Sequence, residues 1–370
     1  MTAAGRPAVA PSLRRAEAHG RVRRIALVAL LIIGPLLAGE IGMRLLVAFD
    51  RLPVAVAHLD QFEMMWTNLH RRDDWDVLLL GDSTTQEGIS PAVIEEIIGG
   101  ELGREVRVFD GAVPGSKLAL NLAITRQLVA EDRLPPVVML GIQAGVLAGS
   151  PQFRDFFLKT PMGRIATACD YEVGYNDAVS CRLEQVSMLW RMRGQLPTII
   201  EAIARPMPAS LRGRASILGP DGYRASFGTT AEKLELELDR RTRRGQLHDW
   251  NLRSGIVANF TAFVSYLRDH GATVVAVVIP NNPPLADRFE SLYPGWASRY
   301  DASLDALERA AEIAIARPQI ANWFKPSDAH NLKHFSEEGA AKFTRQFLSI
   351  GWVRSAIAGG VDGATAAGVR

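Results

Sequence analysis

Val77-Leu78-Leu79-Leu80-Gly81-Asp82-Ser83-Thr84-Thr85 decides how this chain folds. Four consecutive apolar residues closed by a glycine read as a strand buried on both faces, the pattern of a parallel sheet. Gly81 lets the backbone turn without a Cβ clash, so the strand can present a serine hydroxyl at the sheet's carboxyl edge. Open α/β sheets place their chemistry at that edge. The N–H of Ser83 then points at the site its hydroxyl attacks. Alone, the same residues also describe an ordinary strand-to-helix turn with a serine N-cap.

Downstream of this stretch, strands and helices alternate. Residues 76–80 form the first expected strand, and residues 91–102 a helix with Ser90 as N-cap and Pro91 at its first position. Residues 106–109 read as a second strand, and residues 116–129 as a helix, from Leu118, Leu122, Ile124 and Leu128. A third strand covers residues 136–141. An irregular stretch follows over about 150–244, read as an insertion with helices that caps the sheet. Then come a helix over 256–270 with Gly271 as C-cap, a strand over 273–279, a helix over 302–316 and a short strand near 319–323. A last helix opens at Ser336 and runs through residues 340–350. This order implies an α/β fold: a three-layer α/β/α, flavodoxin-like parallel sheet of about five strands over residues 75–350. The Gly/Ala-rich tail, 356–370, reads as disordered.

Upstream, Arg6, Arg14, Arg15, Arg21, Arg23 and Arg24 precede an apolar stretch at 25–49, with Glu17 the only acid among them. A spanning helix needs about 20 apolar residues. This one reaches that length by including Glu40 and Arg44, four apart on one helical face and able to pair. The uninterrupted part, 25–39, also suits a cleaved signal peptide ending near Leu37-Ala38-Gly39. Apolar character resumes through residues 45–49, which favours a transmembrane anchor. The arginines then keep residues 1–24 in the cytoplasm, and everything after the linker 50–74 lies outside the cell membrane.

Composition bounds the rest. Hydrophobic residues at 48% and charged residues at 22% fit a globular protein with one membrane segment. A net charge of +2 is too small to imply a nucleic-acid partner. Cys169 and Cys181 both fall in the outer portion, where an oxidising compartment would let them close a small disulfide loop. No Cys/His cluster has zinc spacing, so no metal is expected.

A serine is a poor nucleophile until a base takes its proton and donors hold the oxyanion. Of the seven histidines, His330 and His334 share a loop between the last strand and last helix, at the same sheet edge as Ser83. Here the chain resembles the SGNH (GDSL-type) esterases and acyltransferases. Gly81-Asp82-Ser83, with Thr85 beyond it, matches their first block. Val113-Pro114-Gly115-Ser116 resembles the second, which supplies an oxyanion glycine. The third, Gly-x-Asn-Asp, is here Gly141-Ile142-Gln143-Ala144. The last is Asp-x-x-His with a glycine five residues on; His334 and Gly339 keep that spacing, but Asn331 stands where the acid is expected.

The resemblance implies Ser83 as nucleophile, His334 as base, and the N–H groups of Ser83 and Gly115 as oxyanion donors, with Gln143 assisting. Asp328, six residues before His334, is the expected orienting acid. Asn331 is the alternative at that position, and His330 the alternative base. No cofactor is implied. A membrane helix ending in Glu-x-x-x-Arg resembles the membrane-anchored members associated with cell-surface polysaccharides. Gly219-Pro220-Asp221-Gly222-Tyr223-Arg224 is similar to a segment of the same relatives, with no role assigned. The expected activity is therefore hydrolysis of O-acyl, chiefly acetyl, esters of a carbohydrate or small molecule. O-acyl transfer to an exported polysaccharide uses the same residues. A catalytically silent scaffold in surface-polymer assembly is the reading from another class.

Overall fold

Alternate side chains of three parallel strands send the apolar core to opposite sides of one sheet. A computed structural model describes residues 27–28, 30–45, 59–143, 182–183, 186–192, 196, 200, 218–244, 247, 252 and 254–366. The strands are β1 (Val77–Leu80), β2 (Val108–Asp110), β3 (Val137–Ile142), β4 (Thr273–Val278) and β5 (Ile315–Ala316). They lie parallel in the order β2-β1-β3-β4-β5. Leu78, Leu80, Val138, Leu140 and Ala276 join one core, while Val77, Leu79, Met139, Val275 and Val277 join the other. That is the period-2 alternation of a strand.

Helices cover both faces. On the first lie α1 (Leu59–Leu69), α3 (Leu118–Ala130), α5 (Ser254–Asp269) and α7 (Trp296–Ala311). On the second lie α2 (Pro91–Leu102), α8 (Glu337–Leu348) and α9 (Gly351–Ala366). Two further helices, α4 (Ala231–Arg243) and α6 (Pro283–Leu292), share a smaller core with Ala329 and Leu332, beside the histidine loop. The expected parallel α/β sheet of five strands is present.

Several boundaries differ from the sequence reading: the helix expected over 302–316 is α7, Trp296–Ala311, and the expected linker 50–74 contains α1, whose Phe62, Met65 and Leu69 join the core. The fifth strand is Ile315–Ala316 rather than a stretch near 319–323, because Ile313 and Ile315 carry the buried apolar character into the sheet edge. Helix α6 was not expected and follows directly from Pro283 at its start. The tail expected to be disordered is helical as far as Ala366. Val353, Ile357 and Val361, at helical spacing, are fully buried. Gly360 lets α9 approach the sheet, since a Cβ there would meet Val137 Cγ2 at 2.7 Å. Packing outweighs the poor helix propensity of Gly.

Residues 30–45 are helical, and Leu30, Leu31, Ile32, Leu36 and Leu37 are exposed along them. No helix among the described residues is long and apolar enough to cross a membrane. The expected pairing of Glu40 with Arg44 is present at 2.6 Å. Glu40 also accepts the N–H groups of Met188 and Leu189, both at 2.9 Å, so this helix end docks on the inserted segment. Residues 1–24, the cysteine pair Cys169 and Cys181, residues 144–181 of the insertion and its further part 201–217 lie outside the described residues.

Candidate active site

Ser83 begins a single helical turn, Ser83–Gln86, immediately after β1. Asp82 caps this turn: its Oδ1 accepts the Thr84 N–H at 2.8 Å and the Thr84 hydroxyl at 2.6 Å. Thr85 is fully buried against Gly81 and Gly141. A Cβ on either glycine would come within 1.9 Å or 2.0 Å of Thr85 Oγ1. Both glycines are thus fixed by close packing, and the threonine locks the turn onto the ends of β1 and β3. Ser83 stays half-buried while its neighbours on both sides are buried, so its hydroxyl is the reachable group of the turn.

The second loop is tied to the first. Val113 N–H donates to Gly81 O at 3.1 Å, and Gln86 Nε2 to Ala112 O at 3.1 Å. Ser116 N–H closes a turn on Val113 O at 2.8 Å, with Pro114 and then Gly115 at its corners. Gly115 has φ 74°, the left-handed conformation that the third residue of such a Pro-Gly turn requires.

The histidine loop completes the site. His334 Nε2 lies 2.8 Å from Ser83 Oγ, and His334 Nδ1 lies 2.9 Å from Asn331 Oδ1. The same Oδ1 accepts the backbone N–H groups of Lys333 at 3.0 Å and His334 at 3.2 Å. Only an oxygen can take those two donors, so the amide orientation is set. Nδ1 must then carry the ring proton, which leaves the Nε2 lone pair facing the serine hydroxyl. Burial is the main cause holding His334 below the usual imidazole range; Lys333 and His330 add to it, while Glu87 and Asp82 oppose it.

Asp328 is not the orienting residue. Its carboxylate is fully buried, with Oδ1 on Lys342 Nζ at 2.7 Å and Oδ2 on the Lys325 N–H at 2.8 Å. Its carbonyl accepts the Ser336 N–H at 2.8 Å, and Gly339 packs so closely that a Cβ would meet this oxygen at 1.9 Å. The antiparallel bridge Ala329↔Phe335 explains the outcome. It makes 330–334 the tip of a folded loop, with Asn331 and His334 there and Asp328 at its base. His330 is exposed, and its Nδ1 meets Phe227 O at 3.1 Å. Gln143, expected to assist the oxyanion, donates from Nε2 to Asn281 Oδ1 at 3.0 Å. Both residues line a neighbouring cavity of about 270 Å3 beyond β4.

Four residues join the site without having been foreseen. Asn282, fully buried, donates to the Asn331 and His334 carbonyls and clamps the loop. Its sequence signal is its place just past β4, at the same edge as Ser83. Glu87 accepts the Ser226 hydroxyl at 2.6 Å and pairs with Arg224 at 3.4 Å, so the Gly219–Arg224 segment braces the serine turn. Lys117, the N-cap of α3, follows the Gly115 turn, and Lys333, whose backbone N–H is held by Asn331 Oδ1, directly precedes His334; only that adjacency marked them. Among the described residues, no cluster of three or more His, Cys, Asp or Glu is placed to hold a metal ion. Compared with known proteins, the chain matches no family model and none of the curated sequences.

Proposed function

We propose that this protein is a serine esterase of the SGNH type, acting on O-acyl esters through Ser83 and His334. The observation that carries the reading is the continuous chain Ser83 Oγ, His334 Nε2, His334 Nδ1, Asn331 Oδ1, with links of 2.8 and 2.9 Å. The strand order β2-β1-β3-β4-β5 supports a flavodoxin-like fold, with Ser83 at the point where connections diverge to either side of β1. Ligands of such sheets bind there.

In this mechanism His334 Nε2 takes the Ser83 proton as Oγ forms a bond to the ester carbonyl carbon. The N–H groups of Ser83 and Gly115 hold the oxyanion. Collapse breaks the bond to the alcohol, which leaves with the proton from His334. Water, activated by the same nitrogen, then releases the acyl group from Ser83. A sugar hydroxyl in place of that water gives transfer to a polysaccharide through the same residues.

Asn331 favours a second reading, a silent scaffold, because a neutral amide gives the imidazolium no negative partner. In a comparable triad, amide for acid costs about 10⁴-fold, chiefly through the wrong tautomer. Here the two backbone N–H groups turn the oxygen to His334, so the tautomer is right and only the charge is missing. That supports a working enzyme. The arginine-rich start and the exposed apolar residues of the helix at 30–45 support a cell-membrane anchor with the sheet domain outside the cytoplasm. The test is turnover of a chromogenic acetyl ester by the full chain in detergent, with and without a glycan acceptor. Release without acceptor supports hydrolysis, and acceptor-dependent product supports transfer. Absence of both supports the scaffold.

A further inference from the structure

Asp110 ends β2 and is fully buried at the sheet edge that carries Ser83. Its Oδ1 accepts the Ala112 N–H at 3.0 Å, while the Ala112 carbonyl accepts from Gln86 Nε2 at 3.1 Å. Ala112 is thus gripped from both sides, immediately before Val113 N–H reaches Gly81 O and the turn at Gly115 begins. The Gly219–Arg224 segment packs directly against this point. The Asp110 N–H donates to Asp221 O at 2.7 Å, and a Cβ on Gly222 would meet the Asp110 carbonyl oxygen at 2.1 Å. That segment therefore seals the carboxyl into the fold.

No opposite charge answers this acid. Among the described residues no cation pairs with Asp110, and its Oδ2 has no hydrogen-bond donor. Arg224, the cation of the sealing segment, is engaged by Glu87 at 3.4 Å. The neighbouring elements bring Asp82 and Glu87 from the serine turn, Asp221 and Tyr223 from the sealing segment, and Glu95 from α2, on the Val108 N–H at 2.9 Å. All five are acids, so none offsets a negative charge. Burial foremost raises the Asp110 carboxyl well above the usual carboxylate range; the Ala112 N–H opposes it and Asp221 adds to it. An ionised carboxylate stripped of water is costly unless paired. A proton on Oδ2 removes that cost and turns an unmatched acceptor into a donor. Gln86 Oε1 and the Tyr223 hydroxyl, on the two segments packed here, are buried acceptors without a partner among the described residues.

We propose that Asp110 is a positioning residue that works as a neutral acid, holding the loop that carries the Gly115 N–H. Its consequence for catalysis rests on the ester reading above; the proton and the loop do not. The test uses the full chain in detergent. Infrared difference spectra between the unaltered chain and Asp110→Asn at neutral pH read the proton, because a protonated carboxyl absorbs apart from a carboxylate. Chemical denaturation across pH reads the same proton through its linkage to folding. Amide hydrogen exchange over residues 111–116 reads the loop, and turnover of an acetyl ester reads the catalytic consequence.

The unaltered chain should show a protonated-carboxyl band that Asp110→Asn lacks. The unfolded chain releases this proton at about pH 3.9, whereas the folded chain keeps it to much higher pH. What the acid contributes to stability is therefore full below the unfolded value and is lost as the pH rises. Between about pH 5 and 7 the folding constant of the unaltered chain, relative to that of Asp110→Asn, should fall about tenfold per pH unit. Asp110→Leu, which cannot accept the Ala112 N–H, should speed exchange over residues 111–116. It should also lower kcat about tenfold with little change in KM, since a displaced oxyanion donor is missed in the transition state. Asp110→Asn, which keeps an oxygen for that N–H, should restore both. A missing band or a flat ratio of folding constants overturns the proposal even if Asp110→Leu does not fold, as does unchanged exchange in a folded Asp110→Leu. The expected band and exchange with no ester turned over leave the positioning role standing and remove the esterase. Turnover without the band does the reverse.

Discussion

Asp328 and Asn331 lie three residues apart on one loop and do opposite things. Asp328 has the chemistry that an orienting acid needs, yet its carboxylate is used on Lys342 and on the Lys325 N–H. Asn331 lacks the charge, yet its oxygen meets His334 at 2.9 Å. The bridge Ala329↔Phe335 separates them: it buries the base of the loop against α8 and leaves the tip facing Ser83. The difference teaches that loop topology assigns the role and that residue chemistry then sets how well it is performed.

The comparison presupposes that Ser83 is what His334 serves. Ser83→Ala is therefore expected to have the largest effect, a loss of about 10⁴-fold or more in kcat for acetyl ester turnover. The melting temperature should barely move, since the hydroxyl caps nothing. Turnover that survives in this variant removes the nucleophile and the comparison with it.

Asp328→Asn separates the two roles. Removing the charge weakens the hold on Lys342, which is partly exposed and keeps Glu338 as a partner, so the loss is about 1 kcal/mol. Chemical denaturation should show that loss, while kcat per folded molecule stays within about twofold, in keeping with the small catalytic effect of residues outside a reacting unit. A variant that is stable but inactive would return Asp328 to the catalytic chain.

Asn331→Asp sharpens the comparison from the other side. A carboxylate at the loop tip would keep the Nδ1 contact and stabilise the imidazolium that forms as Ser83 attacks. Turnover should rise by about tenfold, roughly 1.4 kcal/mol of transition-state stabilisation. Asn331→Ala should lower it. Unchanged turnover in the aspartate variant would mean that charge at this position does not limit the reaction.

Much of this was legible in the residues. Ser83, Gly115 and His334 each sit just beyond an apolar strand or just before a helix-opening signal, and period-2 and 3.6 patterns give those positions. Helix α9 escaped because its glycines mask a buried stripe, Val353, Ile357 and Val361, that becomes visible only once the sheet is there to pack against. Between Asp328 and Asn331 the sequence left a choice: the spacing before His334 pointed to Asn331 and residue chemistry to Asp328. The antiparallel bridge, which reverses the loop and puts 330–334 at its tip, is what decides between them. Asn282 was hidden likewise, since its bonds to the Asn331 and His334 carbonyls cross about 50 residues of sequence.

The smallest effect is in pH. Burial foremost, then the positive charges of Lys333 and His330, disfavours a charged His334, so its folded-state pKa lies below the ordinary value of 6.5. The unfolded chain takes up this proton at about 6.5. Between that pH and the lower folded value the unfolded state therefore holds more protons, and stability falls as the medium becomes more acidic. Activity should hold across neutral pH and persist somewhat below 6.5, because Nε2 keeps its lone pair there. Asn331→Asp reverses one part of this balance: a carboxylate on Nδ1 favours the imidazolium, so the acid limb of kcat/KM should move to higher pH. The two profiles measured side by side decide the point. An unaltered chain that already loses activity above pH 6.5, or an aspartate variant whose limb does not move upward, would mean that Asn331 is not what the His334 ring senses.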